Sequence, residues 1–301
     1  MIYTCTTNPS LDYYLTLSDD LKDGEVARSS GETYDCGGKG VNVSIVLSNL
    51  NIPSITLGFL GGFSKDFYVS FLSNYPFVQP MFTSIAGNTR INVKLLGHNE
   101  TSINAKGPTI SKEEFEKFKK RFFNIYPNDV FVLSGNIQDE IKDDIVDLIN
   151  DFSSNSIKTV LDCSEDVIER SLDNKPFLVN MSNLISDDAD EKTIKEKLLE
   201  VNAKGVKNVF VCQRNLPSYI CFDSKVYKSD VSNDVSYVTG FVDAFIAGFV
   251  YVSIRGGDSL ESFKYGLASS LATSLSNDLA GREKIEEVIE RIEIVEVWRK
   301  H

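Results

Sequence analysis

Glycines stand immediately before a predicted helix (residues 41–50) in the segment Gly37-Gly38-Lys39-Gly40-Val41-Asn42-Val43. Glycines at such a position let backbone N–H groups approach a ligand, and the helix dipole favours an anion there. Lys39 adds a positive charge, and Asn42 adds a neutral donor one turn into the helix. The GxxxxGK[ST] spacing of a nucleoside-triphosphate P-loop is absent. The segment is therefore either an anion-binding loop or an ordinary glycine-rich turn.

Outward from this segment, short apolar runs alternate with amphipathic helical patterns along most of the chain. The predicted strands are 2–6, 55–59, 130–133, 159–162, 177–179 and 208–212. The predicted helices are 41–50, 65–73, 112–125, 139–152, 189–202, 242–254, 259–276 and 282–292. Alternation of this kind predicts an α/β, doubly wound fold, in which a mostly parallel sheet carries helices on both faces.

Two segments, about 13–35 and 88–105, interrupt the alternation. Residues 89–94 and 101–104 alternate apolar and polar side chains around Gly97-His98-Asn99, which is typical of a hairpin with one solvated face. We predict that both segments form a small β-sheet lid, inserted into a single domain that spans residues 1–301.

The composition restricts the function further. The chain has 301 residues and a formal net charge of −12, which argues against nucleic acid and anionic membranes as partners. No apolar run reaches the ~20 residues of a membrane span. The five cysteines are scattered without a CxxC pair, and there are two histidines, so we expect no metal site. No leader pattern is visible, and we predict a cytoplasmic protein.

Three polar positions beside predicted elements are candidates for ligand contacts. Asp12 follows the first strand, at the edge where ligands bind open α/β sheets, although a turn aspartate is equally compatible. Arg90 and Asn92 lie on the hairpin and offer a cationic fork and an amide if they face inward. Asp243, in Gly240-Phe241-Val242-Asp243, begins an apolar helix, so it is either a helix cap or a general base.

Several motifs follow one another in a recognisable order. They are Asn8-Pro9-Ser10-Leu11-Asp12, Arg28, the glycine segment, Thr89-Arg90-Ile91-Asn92, Glu100-Thr101 with Asn104 and Gly107-Pro108, and Leu161-Asp162-Cys163-Ser164. Together they resemble the ribokinase-like (PfkB) carbohydrate kinases, in particular the branch of 1-phosphofructokinase and tagatose-6-phosphate kinase. The resemblance runs from residue 1 to the C-terminal helices. It implies a ribokinase-like fold with a β-sheet lid and magnesium-dependent transfer of the ATP γ-phosphoryl group to a sugar hydroxyl.

The resemblance also implies roles for single residues. Asp12 would hold sugar hydroxyls, and Arg28, Lys39 and Arg90 would supply positive charge for the phosphate of a sugar-phosphate substrate. The implied substrate-binding residues are Asp12, Arg28, Gly38, Lys39, Asn42, Arg90, Asn92 and Asn104. Asp243 matches the catalytic base, and Gly240 retains the first glycine of the family's Gly-Ala-Gly-Asp motif. A homodimer through the lid is the expected assembly.

On the nucleotide side the sequence departs from the family pattern. Val242 replaces the second glycine of Gly-Ala-Gly-Asp, which would disfavour a positive φ or a close phosphate approach. The Lys-Pro-Asn-x-x-Glu motif, which organises magnesium, falls on residues 180–185, where Ser182 or the neighbouring Asn183 replaces Asn and Ile185 replaces Glu. The family's Ser-x-Gly strand becomes Cys212-Gln213-Arg214. ATP and Mg²⁺ are therefore expected cofactors, bound by altered residues: Ser182, Asn183, Cys212 and Arg214.

Two functions remain open at this point. The first is an ATP-dependent kinase of a ketohexose phosphate, of the tagatose 6-phosphate or fructose 1-phosphate type, with impaired turnover. The second is a degenerate kinase that still binds a sugar phosphate. Asp243 aimed into an open cleft would favour the kinase, whereas Phe241 or Arg214 filling that cleft would favour the binding protein. A dinucleotide-dependent oxidoreductase is not supported, because no GxGxxG follows the first strand.

Overall fold

The computed structural model describes residues 1–18, 21–22, 24–98, 100–186, 188–213, 217–231 and 238–299. Its strands are β1 (Ile2–Thr6), β2 (Ser10–Leu17), β3 (Ser29–Gly37), β4 (Ser54–Leu60), β5 (Val78–Pro80), β6 (Thr83–Ser84), β7 (Arg90–Leu96), β8 (Glu100–Ile103), β9 (Val130–Gly135), β10 (Lys158–Cys163), β11 (Leu178–Asn180), β12 (Asn208–Val211), β13 (Ser218–Phe222), β14 (Lys225–Ser229) and β15 (Val295–Arg299). Its α-helices are α1 (Lys39–Asn49), α2 (Ser64–Leu72), α3 (Lys112–Lys119), α4 (Lys142–Ser154), α5 (Glu165–Ser171), α6 (Glu191–Ala203), α7 (Phe241–Ser253), α8 (Ser259–Ser274) and α9 (Arg282–Val288).

The large sheet has the strand order β15-β14-β13-β12-β11-β10-β9-β1-β4-β5, and β6 also pairs with β4. Pairing is parallel from β12 through to β5, and antiparallel among β12, β13, β14 and β15. The strand order reverses at β1: β4 and β5 lie on one side of it, and β9 with the strands that follow it in the chain lies on the other. The doubly wound, mostly parallel sheet predicted from the sequence is confirmed, with three antiparallel strands at one edge that the apolar runs did not indicate.

Alternating side chains on each parallel strand cover the two faces of this sheet. On β9, Phe131 and Leu133 belong to one buried cluster, whereas Val130 and Val132 belong to another. The first cluster packs under α3, α4, α5 and α6, and the second packs under α1, α7, α8 and α9. Because both faces are covered, the parallel strands are apolar almost throughout, as expected for this architecture.

The predicted small sheet is also confirmed and has the order β3-β2-β7-β8. Its strands β2 and β7 are parallel and in direct register, with Ser10 opposite Arg90 and Asp12 opposite Asn92. Since successive side chains of a strand point to opposite faces, these four residues share one face of the sheet. The predicted hairpin is formed by β7 and β8, which are antiparallel.

Helix boundaries follow local signals where these are present. Ser111 caps α3 in a capping box with Glu114, as the sequence indicated. The predicted helices 112–125 and 282–292 are shorter as α-helices, because each ends in a 3₁₀ turn. Helix α7 is the buried apolar helix expected near residues 242–254. Within the described ranges, no helix is both long enough and apolar enough to cross a lipid bilayer.

Candidate active site

A cleft of about 390 Å³ lies where the large sheet, the small sheet and the first turns of α1 and α7 meet. Thr6 and Gly135, the last residues of β1 and β9, form part of its floor. This is the carboxyl edge at which open α/β sheets bind ligands, and the volume suits a small molecule. Nine residues predicted from the sequence line it: Asp12, Gly38, Lys39, Asn42, Arg90, Asn92, Asn104, Gly240 and Asp243.

Asp12 is held in the cleft by its neighbours on the small sheet. Its Oδ1 accepts hydrogen bonds from Ser10 Oγ (2.7 Å) and Asn92 Nδ2 (2.8 Å). Asn92 is fixed in turn, because its Oδ1 accepts a hydrogen bond from the amide of Ala105 (3.2 Å). The carboxylate of Asp12 is therefore oriented through one oxygen, which leaves Oδ2 for the hydroxyls of a ligand.

Asp243 lies in the first turn of α7 with 3% of its surface exposed. Burial raises the pKa of its carboxyl to about 7; the positive charge of Lys39 and a hydrogen bond from Asn42 oppose this rise, while the charge of Asp162 adds to it. The hydrogen bond joins Asn42 Nδ2 to Asp243 Oδ2 at 2.8 Å. A carboxylate with a pKa near neutrality is suited to accept a proton at physiological pH.

The start of α7 is shaped by Gly240, which has a φ of 86°. This conformation favours glycine, and a Cβ there would lie 2.4 Å from Leu279 Cδ2, so that the end of the Leu279 side chain would have to shift. Ser270 of α8 donates a hydrogen bond to the carbonyl of Phe241 (2.7 Å) and anchors the first turn. The backbone strain predicted at Val242 is not found, because the positive φ falls on Gly240 and Val242 is helical.

Lys39 begins α1 and reaches across the cleft to the end of β10. Its Nζ lies 3.2 Å from Oδ2 of Asp162, which is buried, and Oδ1 of the same carboxylate accepts a hydrogen bond from Asn180 Nδ2 (2.8 Å). The charge of Asp162 raises the pKa of Lys39 against the opposing effect of burial. Sequence reasoning placed Asp162 in a motif but gave it no role.

Arg90 lines the cleft, but both terminal nitrogens of its guanidinium are already in use, and only its buried Nε has no recorded partner. Nη1 donates to the carbonyl of Ala105 and Nη2 to the carbonyl of Asn8, each at 3.1 Å. Burial lowers the pKa of this guanidinium. The predicted free fork for a phosphate is therefore partly a structural clamp between the small sheet and the segment after β8. Arg28 is exposed and does not line the cleft, so the structure does not bring it to the predicted site.

Comparison with known protein families gives a match over nearly the full length of this chain. The profile of the pfkB family carbohydrate kinases matches residues 6–282. The chain belongs to the pfkB family. The resemblance inferred from the motifs is thus confirmed, as is the prediction of a kinase of carbohydrate metabolism.

Individual pfkB kinases agree with this assignment. A 1-phosphofructokinase from Borreliella burgdorferi is 32% identical, and the alignment covers 99% of this chain and 99% of that protein. A D-tagatose-1-phosphate kinase from Bacillus licheniformis is 27% identical over 98% of this chain and 99% of that protein. The crystal structure of phosphofructokinase-2 from Escherichia coli with fructose-6-phosphate superposes with a TM-score of 0.86 at 18% identity, covering 97% of this chain and 98% of that chain. At this identity, the similarity to phosphofructokinase-2 concerns the fold alone.

Of the residues predicted on the nucleotide side of this pfkB kinase, the three that the structure describes (Ser182, Asn183 and Cys212) do not line the cleft. Ser182 Oγ accepts a hydrogen bond from the amide of Cys212 (2.9 Å) and donates one to Asn180 Oδ1 (2.6 Å), so it ties the ends of β11 and β12 together. Asn183 is exposed, and Ile185 is buried in the core. Arg214, the fourth predicted nucleotide contact, lies outside the described residues.

The cleft also contains residues that the sequence did not single out. Tyr14, Asp35 and Lys94 line it together with the predicted set. Tyr14 and Lys94 lie opposite each other on β2 and β7, on the same face as Asp12. The sequence did contain a signal for Lys94. It follows Arg90 and Asn92 at a spacing of two residues, so on a strand all three side chains lie on the same face.

Proposed function

We propose that this chain transfers the γ-phosphoryl group of ATP to a hydroxyl of a ketohexose phosphate, within one kinase domain whose small sheet covers the sugar. The observation that carries the proposal is the position of Asp243, a buried carboxyl with a pKa raised to about 7 that lines the same cleft as Asp12 and Lys39. Phe241 lines the cleft as well, but it is 1% exposed and belongs to the buried cluster that includes α1, α7 and α8.

Asp243 acts as the general base in this proposal. Asn42 donates to Asp243 Oδ2, and this contact leaves Oδ1 to accept the proton of a substrate hydroxyl. Asp12 and Asn92 orient the sugar so that one hydroxyl approaches Asp243. Phosphoryl transfer depends mainly on such positioning and on neutralising charge, because the transition state demands little covalent chemistry from the protein.

The first turn of α7 supplies donors for the transferred group. The amide of Phe241 is bonded to the carbonyl of Val238 (3.1 Å), while no group in the described ranges accepts from the amides of Val242 and Asp243. First-turn amides lack an acceptor within their own helix, and the helix dipole adds positive potential. Donors of this kind typically contribute 100- to 1000-fold in turnover when they face developing charge. The ammonium of Lys39, which is paired with Asp162, lines the same cleft.

ATP and Mg²⁺ are compatible with this site, although the protein offers fewer ligands to the metal ion than the family pattern does. Magnesium prefers oxygen ligands and commonly retains several waters while bound to substrate phosphates. Among the described residues there is no cluster of three or more His, Cys, Asp or Glu side chains that could hold a metal ion. Buried Ile185 also offers no carboxylate where the family has glutamate. We therefore expect Mg²⁺ to arrive on the phosphates of ATP, where it neutralises their charge.

For the sugar, we favour a ketohexose 1-phosphate as the first substrate to test. The relatives from Borreliella burgdorferi and Bacillus licheniformis are named for substrates that carry a phosphate at position 1. Tagatose 6-phosphate remains the second candidate, since a Staphylococcus epidermidis relative that is 28% identical is named tagatose-6-phosphate kinase.

A sugar-phosphate-binding protein without transferase activity is the alternative. It is favoured by Ser182 and Ile185, which replace the residues that the family uses to organise magnesium. The two functions are separated by magnesium-dependent release of ADP with fructose 1-phosphate, tagatose 6-phosphate and fructose 6-phosphate. Release with one sugar, accompanied by a new phosphomonoester signal in ³¹P NMR, supports the kinase. Binding of a sugar phosphate without any release supports the alternative.

We also propose that two copies pair through the outer face of the small sheet. The register aligns Tyr34, Tyr13, Val93 and Ile103 in one row on the face opposite Asp12. Tyr34 and Ile103 are 48% and 58% exposed, and Tyr13 stacks on Tyr34. A row of exposed apolar side chains across a sheet is typical of an interaction surface, and a second copy presents the same row.

A further inference from the structure

Among the described residues, three cationic side chains line the cleft, and they differ in the partners that already occupy them. Lys39 is paired with the buried carboxylate of Asp162 at 3.2 Å. The guanidinium of Arg90 donates to two backbone carbonyls. For the ammonium of Lys94, by contrast, the structure records no hydrogen bond or ion pair with any described residue. Its recorded contact is with the ring of Tyr14, whose centroid lies 5.9 Å from Nζ.

The strand register fixes where Lys94 stands relative to the sugar-binding residues. Arg90, Asn92 and Lys94 lie on one face of β7, and they are opposite Ser10, Asp12 and Tyr14 of β2. Residues two apart on a strand are separated by roughly 7 Å. Lys94 therefore lies one step beyond the Asp12–Asn92 pair, on the side away from Arg90. A sugar held by that pair has Lys94 within reach of a substituent at its outer end.

The other charges in the cleft would repel a phosphate at this place. Asp12 and Asp35 are opposite each other on β2 and β3, and both line the cleft. A phosphomonoester beside two carboxylates needs a cation whose donors are not already used, and an ammonium offers three. Lys94 is half-buried, and its ammonium lies over the ring of Tyr14, which limits the freedom that the ammonium loses on binding.

We propose that Lys94 binds the phosphate that the sugar substrate already carries, and that it thereby selects sugar phosphates over free sugars. This inference rests on the proposed function for the nature of the ligand. Asp12 and Asn92 bind the hydroxyls, Lys94 binds the phosphate, and Arg90 serves chiefly to hold the small sheet against Asn8 and Ala105. An ammonium is a compact charge that can bind a phosphate without a fixed geometry.

The test is isothermal titration calorimetry of fructose 1-phosphate and tagatose 6-phosphate into the full chain without nucleotide. Lys94→Met retains the apolar stem and should weaken the better ligand at least tenfold, whereas Lys94→Arg should stay within about threefold of wild type. Lys112→Met, a change at an exposed lysine outside the cleft, is the matched control. Unphosphorylated fructose should bind wild type and Lys94→Met equally weakly.

Lys94→Met binding within twofold of wild type would overturn the inference, as would a failure of wild type to bind either sugar phosphate. An ADP-release assay on the same samples keeps the two proposals apart. Wild type that binds in a Lys94-dependent manner but releases no ADP supports the phosphate site and contradicts the kinase. Wild type that releases ADP equally well with and without Lys94 supports the kinase and contradicts this inference.

Discussion

The ammonium of Lys39 lies 3.2 Å from the carboxylate of Asp162, a residue 123 positions away in the chain. Asp162 is 1% exposed, and its second oxygen is bonded to Asn180. The pair joins the first turn of α1 to the ends of two parallel strands. It fixes the position of Lys39 in the cleft and places a negative charge close enough to Asp243 to raise the pKa of that residue.

The first prediction concerns Asp162→Asn. Removing this charge takes away one cause of the raised pKa of Asp243 and frees the positive charge of Lys39, so the pKa of Asp243 should fall. The acidic limb of the kcat/KM profile, expected near pH 7 in wild type, should shift to lower pH. We also expect kcat/KM at pH 8 to fall by about 10- to 100-fold, because Lys39 is no longer positioned.

The control for this experiment is Asp143→Asn, which removes a carboxylate from an exposed ion pair with Arg170. It should leave the pH profile unchanged. If Asp162→Asn lowers activity but leaves the acidic limb where it is in wild type, the electrostatic link between Asp162 and Asp243 is contradicted.

The second prediction is a pH-dependent difference in stability between wild type and Asp243→Asn. The pKa of Asp243 is about 7 in the folded protein, against 3.8 for the ordinary side chain. Between pH 3.8 and about pH 7, Asp243 is protonated in the folded state and ionised in the unfolded state. The free energy of unfolding of wild type therefore falls as pH rises through this range. Asp243→Asn lacks this effect.

Thermal unfolding of both proteins at several pH values measures the difference. From pH 5 to pH 8, the melting temperature of Asp243→Asn should rise relative to that of wild type, and above about pH 8 the difference should level off. A difference that stays constant from pH 5 to pH 8 would mean that the carboxyl of Asp243 is not raised in pKa.

The third prediction concerns Val242→Gly, which restores the family's glycine. Since Val242 is helical, its amide is presented without strain, and the change should not speed turnover by more than about threefold. A glycine inside a helix costs roughly 1 kcal/mol relative to alanine. Steady-state ADP release and thermal unfolding, with Val242→Ala as control, test this. A tenfold faster Val242→Gly enzyme would show that the valine obstructs phosphate approach.

The fourth prediction addresses pairing through the small sheet. Ile103→Glu places a charge in the outer apolar row, and in a symmetric pair each copy contributes one such charge. Size-exclusion chromatography with light scattering should show a dimer for wild type and a monomer for Ile103→Glu. Glu116→Lys, on the exposed side of α3, is the control and should remain dimeric. A monomeric wild type would contradict the proposed pairing.

Much of the fold followed from short-range patterns. Buried parallel strands are nearly continuous apolar runs, and each predicted run became a strand of the large sheet. The edge strands β13 and β14 were missed because their turn, Asp223-Ser224, has positive φ at both residues without the glycine that normally signals it. Within the site, Asp12 and Asp243 were candidates because one follows a strand and the other begins an apolar helix, and the family resemblance then implied their roles.

The remaining site features depend on long-range geometry. Lys94 is a cleft residue because of the register of β2 against β7, and the sequence of one strand alone does not specify this register. The pairing of Lys39 with Asp162 likewise arises when α1 meets β10. Arg90 has the predicted inward direction, yet its hydrogen bonds to Asn8 and Ala105 depend on the path of the chain after β8.

The most direct test of the central claim is magnesium-dependent ADP release from ATP with fructose 1-phosphate, comparing wild type with Asp243→Asn at pH 8. General bases contribute roughly 10²- to 10⁴-fold. We predict sugar-dependent release by wild type and at least a hundredfold slower release by Asp243→Asn, with unchanged binding of the sugar phosphate. Equal rates for the two proteins would contradict the assignment of Asp243 as the base. Sugar-phosphate binding with no release by wild type would contradict the kinase itself.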